Sequence, residues 1–298
     1  MTYEELLEDI SKRDDRLIVM TAENRAVIRN LPPKLGGRFI DTGITEMTQI
    51  GMAAGLALRG RVVLTHALAT FLTMRAFEFI RTDVGIPRLP VKIVGGFPGF
   101  LSAANGATHQ AIEDIALMRG IPNMHVFCPA DDSELLDAMP KIIDDPNPCY
   151  IRFNNSNPIV KHEPFEIGRA ETIKDGKDVC ILTYGFLLEQ AVEASRQLEA
   201  QGISARVINM KMLAPFDRDI ILAAASETRL LVTVEDHFHR GGLYSIVAEL
   251  LFEAGQTSKV LSIDLEDRWY RPALLNDVLE HEGFTGAKIA KKITEWIR

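Results

Sequence analysis

The sequence predicts an α/β protein, a doubly wound parallel sheet followed by a second, smaller α/β domain. Three observations predict it. Short apolar runs alternate with helical patterns along the chain, as in strand–helix–strand units. The apolar runs are rich in Val and Ile and do not alternate cleanly with polar residues, as expected of parallel strands covered on both faces. The alternation is interrupted at "NNSNPIVKHEPFEIG" (154–168), a polar stretch with two prolines that reads as a linker, and then restarts. Two domains are therefore expected, 1–157 and 158–298.

The elements follow in order. "RLIVMT" (16–21) is a strand. "EMTQIGMAAGLALRG" (46–60) is a helix closed by Gly60, where a C-terminal glycine belongs. "RVVLTH" (61–66) is a strand and "TFLTMRAFEFIRTDV" (70–84) a helix. "VKIVGG" (91–96) is a strand that runs into a Gly- and Pro-containing loop, "GGFPGFLSAANGAT". "HQAIEDIALMRG" (109–120) reads as a helix, "MHVFCPA" as a strand, "DSELLDAMPKIID" as a helix and "PCYIRF" (148–153) as a strand. After the linker come the strand "DVCILTYG", the helix "FLLEQAVEASRQLEAQG", the strand "ISARVINMKML" (203–213) and the helix "DRDIILAAASE". The strand "RLLVTVED", the helix "GGLYSIVAELLFEAG", the strand "KVLSIDL" and the helix "GAKIAKKITEWI" complete the pattern.

Bulk properties exclude several classes. The chain has 298 residues, 47% hydrophobic and 25% charged, with a net charge of −8. That is ordinary globular composition. An acidic chain without a basic stripe is a poor nucleic-acid binder. There is no run of about 18 apolar residues, so no membrane span is expected. The amino terminus, "MTYEELLEDISKRDD", is unlike a secretory signal. Cys128, Cys149 and Cys180 lie far apart, in neither a disulfide framework nor a zinc spacing. A reducing, cytoplasmic compartment is the economical reading.

In open α/β sheets ligands gather at the carboxyl ends of the strands. That singles out "DTGITE" (41–46), "THALATF" (65–71), "GGFPGFLSAANGATH" (95–109) and "EDHFHRGG" (235–242). None contains a phosphate-binding GxxxxGK[ST], a GxGxxG after a strand or a Gly-x-Ser-x-Gly elbow. His237 and His239 are spaced i, i+2 in a loop, weak for a metal. The chain thus offers carboxylates, histidines and glycine loops without a self-sufficient catalytic motif. Either a cofactor does the chemistry or another chain completes the site.

Five ordered segments carry a resemblance. "RFIDTGITEMTQIGMAAGLALRG", "TFLTMRAFEFIRTDV", "LPVKIVGG", "GATHQAIEDIALMRGIPNMHVFCPAD" and "AQGISARVINMKMLAPFD" together resemble the C-terminal half of transketolase over nearly the whole chain. That family's N-terminal half binds the diphosphate of thiamine diphosphate through a Gly-Asp-Gly motif and a metal, and no such segment is present. The chain therefore resembles the second subunit of a split transketolase, holding a pyrimidine-binding domain and a transketolase C-terminal-type domain. The resemblance implies thiamine diphosphate and Mg2+, with metal and diphosphate held by an N-terminal transketolase-type partner subunit in an α2β2 assembly. It also implies β–β contacts through the small-residue helix 47–59, no metal ligands in this chain, and sugar or sugar-phosphate substrates.

The resemblance also assigns residues. Thiamine chemistry is carried by the cofactor, whose 4′-imino group acts as base when a carboxyl group hydrogen-bonds ring nitrogen 1′. Glu46, within "GITEMTQIGMAAGLA", matches the glutamate of that role. By itself a carboxylate at a helix start is also favoured by the helix dipole. Phe71 falls where the family places an aromatic against the pyrimidine, as suits a flat heterocycle. The companion aromatic three residues earlier is Leu68 here, and His66, nearby, is a further candidate to face the cofactor. His109, in "ATHQ", matches a histidine that contacts the donor substrate and can shuttle protons. Glu113 and Asp114 are expected in packing and subunit contacts, Asp236 and His237 at the domain interface.

Departures from the family pattern bear on the substrate. The loop "GGFPGFLS" lacks the usual histidine near Phe97 or Pro98. A position usually aspartate reads Asn105. After "YIR", where a phosphate-gripping arginine is common, stand Asn154 and Asn155. Asparagine cannot replace that charge. The expectation is ketol transfer on a sugar other than an ordinary pentose phosphate, or on one whose phosphate is bound otherwise, with Asn105 and Asn155 among the substrate contacts. The alternatives are a 2-oxo acid dehydrogenase β-type subunit, a deoxyxylulose phosphate synthase-like subunit, and a non-catalytic structural partner.

Overall fold

The computed structural model describes residues 1–23 and 25–298. Two sheets organise it. The first uses β1 (Leu17–Thr21), β2 (Phe39–Asp41), β3 (Val62–Leu68), β4 (Lys92–Gly96), β5 (His125–Phe127) and β6 (Cys149–Arg152), all parallel, in the order β5-β6-β4-β3-β1-β2. The second uses β7 (Glu171–Lys174), β8 (Val179–Thr183), β9 (Ala205–Asn209), β11 (Leu230–Val234) and β12 (Val260–Ile263), ordered β12-β11-β8-β9-β7 with β7 antiparallel at the edge. Every residue of β1, β8 and β11 is buried, as strands covered on both faces require.

The predicted strand 203–213 divides between the two sheets. After β9 the chain leaves the second sheet, and β10 (Met212–Ala214) pairs antiparallel with β5 at the far edge of the first. One apolar core then runs through both domains. Ile18, Val63 and Ile93 of the first sheet share it with Cys180, Leu182 and Leu231 of the second.

The helices expected between strands form, with instructive exceptions. α1 (Tyr3–Arg13) lies outside the predicted elements, yet its start carries a clear signal. Thr2 Oγ1 accepts the Glu5 N–H at 3.3 Å, and the Thr2 N–H donates to Glu5 Oε2 at 2.7 Å, a capping box. α2 is one short turn (Pro32–Leu35). α3 (Glu46–Leu58) starts at Glu46 and ends as predicted, with Gly60 at φ +79°. The segment 70–84 is not a regular helix. Phe71–Arg75 and Ile80–Gly85 are π-helical, on either side of one α turn, α4 (Phe77–Phe79).

Nor does the helix expected over 109–120 begin at His109. α5 spans only Asp114–Arg119. The carbonyls before it are already used: Gly99 donates its N–H to Ala111 O at 2.8 Å, and Phe238 to Ile112 O at 2.9 Å. α6 (Asp132–Asp144) and α7 (Leu187–Glu199) follow their predictions, as do α8 (Arg218–Glu227) and α9 (Leu243–Glu253). α10 (Leu275–Glu282) is a further helix outside the predicted set, and α11 (Gly286–Ile297) closes the fold against α7. Among the described residues no helix is long and apolar enough to cross a membrane.

Candidate active site

The carboxyl ends of β1, β2 and β3 open onto a cleft of about 440 Å³ lined by Ala22, Glu23, Ile44, Glu46, Leu68, Phe71 and His109. Parallel register sets this convergence. Thr21 pairs with Asp41 and with His66, so the chain leaves all three strands at one edge, and α3 starts there.

Glu46 is 1% exposed at the first residue of α3. A buried carboxylate needs a counter-charge, and the fold supplies one. Arg75 Nη1 donates to Glu46 Oε2 at 2.8 Å. The Arg75 guanidinium also lies over the Phe71 ring, 4.1 Å from its centroid. The His109 ring meets Phe71 edge-on, with centroids 5.2 Å apart at 64°. His109 Nδ1 is 2.9 Å from Thr108 Oγ1. The cleft thus joins a buried carboxylate, an aliphatic and an aromatic wall, and an imidazole at its rim. A carboxyl group beside a flat apolar wall suits the polar edge and the face of an aminopyrimidine. The donor set therefore fits that half of thiamine diphosphate.

The structure places the other expected residues elsewhere. His66 does not line the cleft. It sits on the α1 face of β3, where its Nδ1–H donates to Met20 O at 3.2 Å and Nε2 accepts the Tyr3 hydroxyl at 2.9 Å. Burial pushes its pKa down to about 4, so the ring is a neutral core group. Asn105 is exposed at the end of the 3-10 segment Gly99–Asn105 and does not border the cleft. Asn155 is exposed and borders a different cavity, with Tyr3, Arg29 and Phe153. Asn154 is buried and spent on backbone: Nδ2 donates to Ala130 O at 2.6 Å and Oδ1 accepts the Ser156 N–H at 3.0 Å.

A buried charge cluster fixes the loop that presents His109. Arg152 Nε donates to Asp114 Oδ2 at 2.8 Å and Nη1 to Asp236 Oδ1 at 2.6 Å. Asp236 Oδ2 accepts the Phe100 N–H at 3.2 Å, and the Tyr270 hydroxyl donates to Gly99 O at 3.0 Å. Asp114 and Asp236 are thus packing and interface residues. So is His237, which accepts the Ala116 N–H on Nε2 at 3.3 Å. Gly99 is required there, since its φ is +52° and a Cβ would fall 1.6 Å from Asp236 Oδ2.

Sequence reasoning missed Arg75. The signal was available: Arg75 follows Phe71 by four residues in a helical pattern, the spacing at which side chains meet.

Residues 1–159 match the pyrimidine-binding domain family of transketolase, and residues 168–289 match the transketolase C-terminal domain family. The chain belongs to the transketolase family. It is 36% identical over 258 residues to the 6-deoxy-6-sulfo-D-fructose transketolase subunit SqwH of Clostridium sp. (strain MSTE9), covering 85% of this chain and 80% of that one. It is 29% identical over 303 residues to an apulose-4-phosphate transketolase subunit of Phocaeicola vulgatus, covering 100% and 96%. A solved structure described as a split gene transketolase, inactive beta4 tetramer, superimposes with a TM-score of 0.89 at 35% identity. It covers 98% of this chain and 96% of that chain. The resemblance read from the five ordered segments is thereby borne out, as is the fold class. The Glu46–Phe71 cleft lies within the segment that matches the pyrimidine-binding domain.

Proposed function

We propose that this chain is the C-terminal subunit of a split, thiamine diphosphate-dependent transketolase that moves a two-carbon ketol unit from a ketose donor to an aldose acceptor. The observation that carries the reading is Glu46, a buried carboxylate that borders the cleft together with Leu68 and Phe71. When bound, the cofactor supplies a nucleophilic thiazolium carbon. Glu46 would hold ring nitrogen 1′ of the aminopyrimidine, with Phe71 and Leu68 against the ring. His109, at the rim, would bind donor oxygens and hold a proton for transfer.

Diphosphate and Mg2+ would be held by an N-terminal transketolase-type subunit. The related structure described as inactive is a tetramer of beta chains alone, which agrees with a site that needs a second chain. The outer face of α3 supports β–β pairing in an α2β2 assembly, because Met47, Met52, Gly55 and Leu58 stand exposed on it. The domains would divide at 157/158, within the linker. The three buried free cysteines suit a cytoplasmic location.

A sugar other than the ordinary straight-chain pentose phosphates is favoured. The two relatives act by name on a sulfofructose and on apulose 4-phosphate, and the position after "YIR" offers no phosphate-gripping arginine. The test is Glu46→Gln in the complex with its partner subunit, assayed for ketol transfer with added thiamine diphosphate. A fall in turnover of about 100-fold is expected from loss of a proton-transferring group. Unchanged turnover would overturn the reading.

A further inference from the structure

We propose that Arg75 is a positioning residue that fixes the carboxylate and the aromatic wall of the pyrimidine site together. The inference rests on the cofactor reading above. Arg75 does not border the cleft. It acts through the two groups that do. One planar guanidinium makes both contacts: Nη1 donates to Glu46 Oε2 at 2.8 Å, while the plane covers the Phe71 ring at 4.1 Å. Arginine can do both at once, because its N–H groups project from the edge of a plane whose face is free to stack. A lysine ammonium has no face to stack and would have to divide a point charge between the two.

The backbone supports this pairing. Ala76 donates its N–H to Phe71 O at 3.2 Å, an i→i+5 bond that closes a π turn over Phe71–Arg75. Such a turn carries one more residue than an α turn and recurs at functional positions. It sets Phe71 and Arg75 on one side of the segment, facing the start of α3 where Glu46 lies. Glu46 and Phe71 come from different elements, 25 residues apart in sequence, and Arg75 touches both. The site is thereby assembled within this chain, before any partner contributes.

A residue that served only to neutralise Glu46 could be replaced by another cation, so Arg75→Lys would keep the cofactor's affinity and spectrum. A positioning residue also sets the cofactor's binding and its spectrum. The experiment compares Arg75→Met and Arg75→Lys with wild type and Glu46→Gln, each assembled with the diphosphate-binding subunit. Thiamine diphosphate affinity is measured by calorimetry, and the environment of the bound aminopyrimidine by near-ultraviolet circular dichroism. Arg75→Met is expected to weaken cofactor binding by about tenfold or more, as for a lost charge-assisted contact, with an altered dichroism band. The KM for the donor sugar should change less than cofactor affinity, because Arg75 reaches His109 only through the Phe71 ring. Arg75→Lys keeps the charge and guards against a folding failure of the methionine variant. It is expected to show the same spectral change with a smaller loss of affinity. Wild-type affinity and spectrum in Arg75→Lys, or in a folded Arg75→Met, would overturn the proposal whatever the change in thermal stability. If Glu46→Gln also leaves affinity, spectrum and turnover unchanged, the cofactor reading itself falls. If Glu46→Gln is impaired and the Arg75 variants are not, only this inference falls.

Discussion

Replacing Arg152 by methionine should be among the most damaging single changes outside the cleft. The side chain is 4% exposed and bonds two buried carboxylates, Asp114 on α5 and Asp236 beyond β11. Methionine fills much of the same volume, so the loss is chiefly electrostatic. Breaking a buried ion pair by removing one partner costs about 3–5 kcal/mol. Here one cation serves two anions, which would face each other unpaired, so the upper end, about 5 kcal/mol, applies. Against a total stability of about 5–15 kcal/mol, that threatens the fold. Asp236→Asn makes the control. It leaves Arg152 paired with Asp114, and an amide oxygen in the place of Oδ2 can still accept the Phe100 N–H, while the amide NH2 in the place of Oδ1 no longer accepts from Arg152 Nη1. Its expected cost is about 1.5–3 kcal/mol, that of one lost hydrogen bond to a charged group. Urea unfolding, followed by both fluorescence and far-ultraviolet circular dichroism, measures both. With a slope of about 2–3 kcal/mol per molar, the midpoint of Arg152→Met should fall by about 2 M. An Arg152→Met cost under about 1 kcal/mol, or an Asp236→Asn cost equal to it, would refute the reasoning.

Other perturbations test the framework around the cleft. His162, in the linker, lies 3.0 Å from Asp131 Oδ2 and 2.8 Å from Glu171 Oε2, so it joins the cap of α6 to β7. Burial opposes its charged form, but the two carboxylate bonds outweigh burial and raise its pKa to about 10. A raised folded-state value means that its stabilisation is full below the unfolded pKa of about 6.5 and is lost as pH rises through about 10. The urea midpoint of His162→Gln should therefore lie furthest below wild type near pH 6 and converge with it by pH ~10; a gap that widened with pH would contradict the assignment. Gly99→Ala would force a Cβ into the Asp236 carboxylate at φ +52°, and should cost about 3 kcal/mol by overpacking. Calorimetric melting would show it, and a variant as stable as wild type would mean that the loop has another packing. His109→Ala should raise the KM for the donor sugar in the assembled enzyme while leaving thiamine diphosphate affinity within about twofold. An equal loss in both would move His109 from the substrate to the cofactor.

What was legible in the sequence was what depends on local period and punctuation. Strands buried on both faces, the helix ending at Gly60 and the stretch without strand or helix at 154–168 follow from apolar runs, glycine and proline. Three features escaped because they are set by distant partners. The 203–213 run is one apolar stretch, and only pairing with β5 draws Met212–Ala214 out of it into the other sheet. The 109–113 stretch has helical composition, but its carbonyls are claimed by Gly99 and Phe238. The π turns of 71–85 preserve a helix-like pattern of residues, so periodicity reads them as an ordinary helix. At the site, the motif text led to Glu46, Leu68, Phe71 and His109, which share a cleft. It also suggested His66, Asn105 and Asn155, which do not. Nearness in sequence brought in His66, but a side chain in the body of a strand points to a sheet face rather than past the strand end.

The second domain is tied to the site through the loop 97–110, which carries His109. That loop departs from favourable backbone at Phe97 (φ +55°) and Ala103 (φ +43°), conformations that side-chain-bearing residues seldom adopt. Such a loop persists only where its surroundings hold it. Its fastenings come largely from beyond residue 158. Asp236 accepts the Phe100 N–H, the Tyr270 hydroxyl bonds Gly99 O, Gln110 Nε2 donates to Tyr270 O at 3.2 Å, and Phe100 packs against Phe284 with centroids 4.8 Å apart. The Glu46–Arg75–Phe71 group, by contrast, lies wholly within the first domain. The two halves of the cleft are therefore held by different parts of the chain. A change in the second domain at Tyr270 should act on the His109 side and spare the carboxylate side. Tyr270→Phe, which removes one hydrogen bond and keeps the ring against Phe100, is expected to raise the donor KM severalfold, as for a net loss of about 1 kcal/mol. Cofactor affinity should not change. A Tyr270→Phe enzyme with weakened cofactor binding and a normal donor KM would show that the two halves are not separately held.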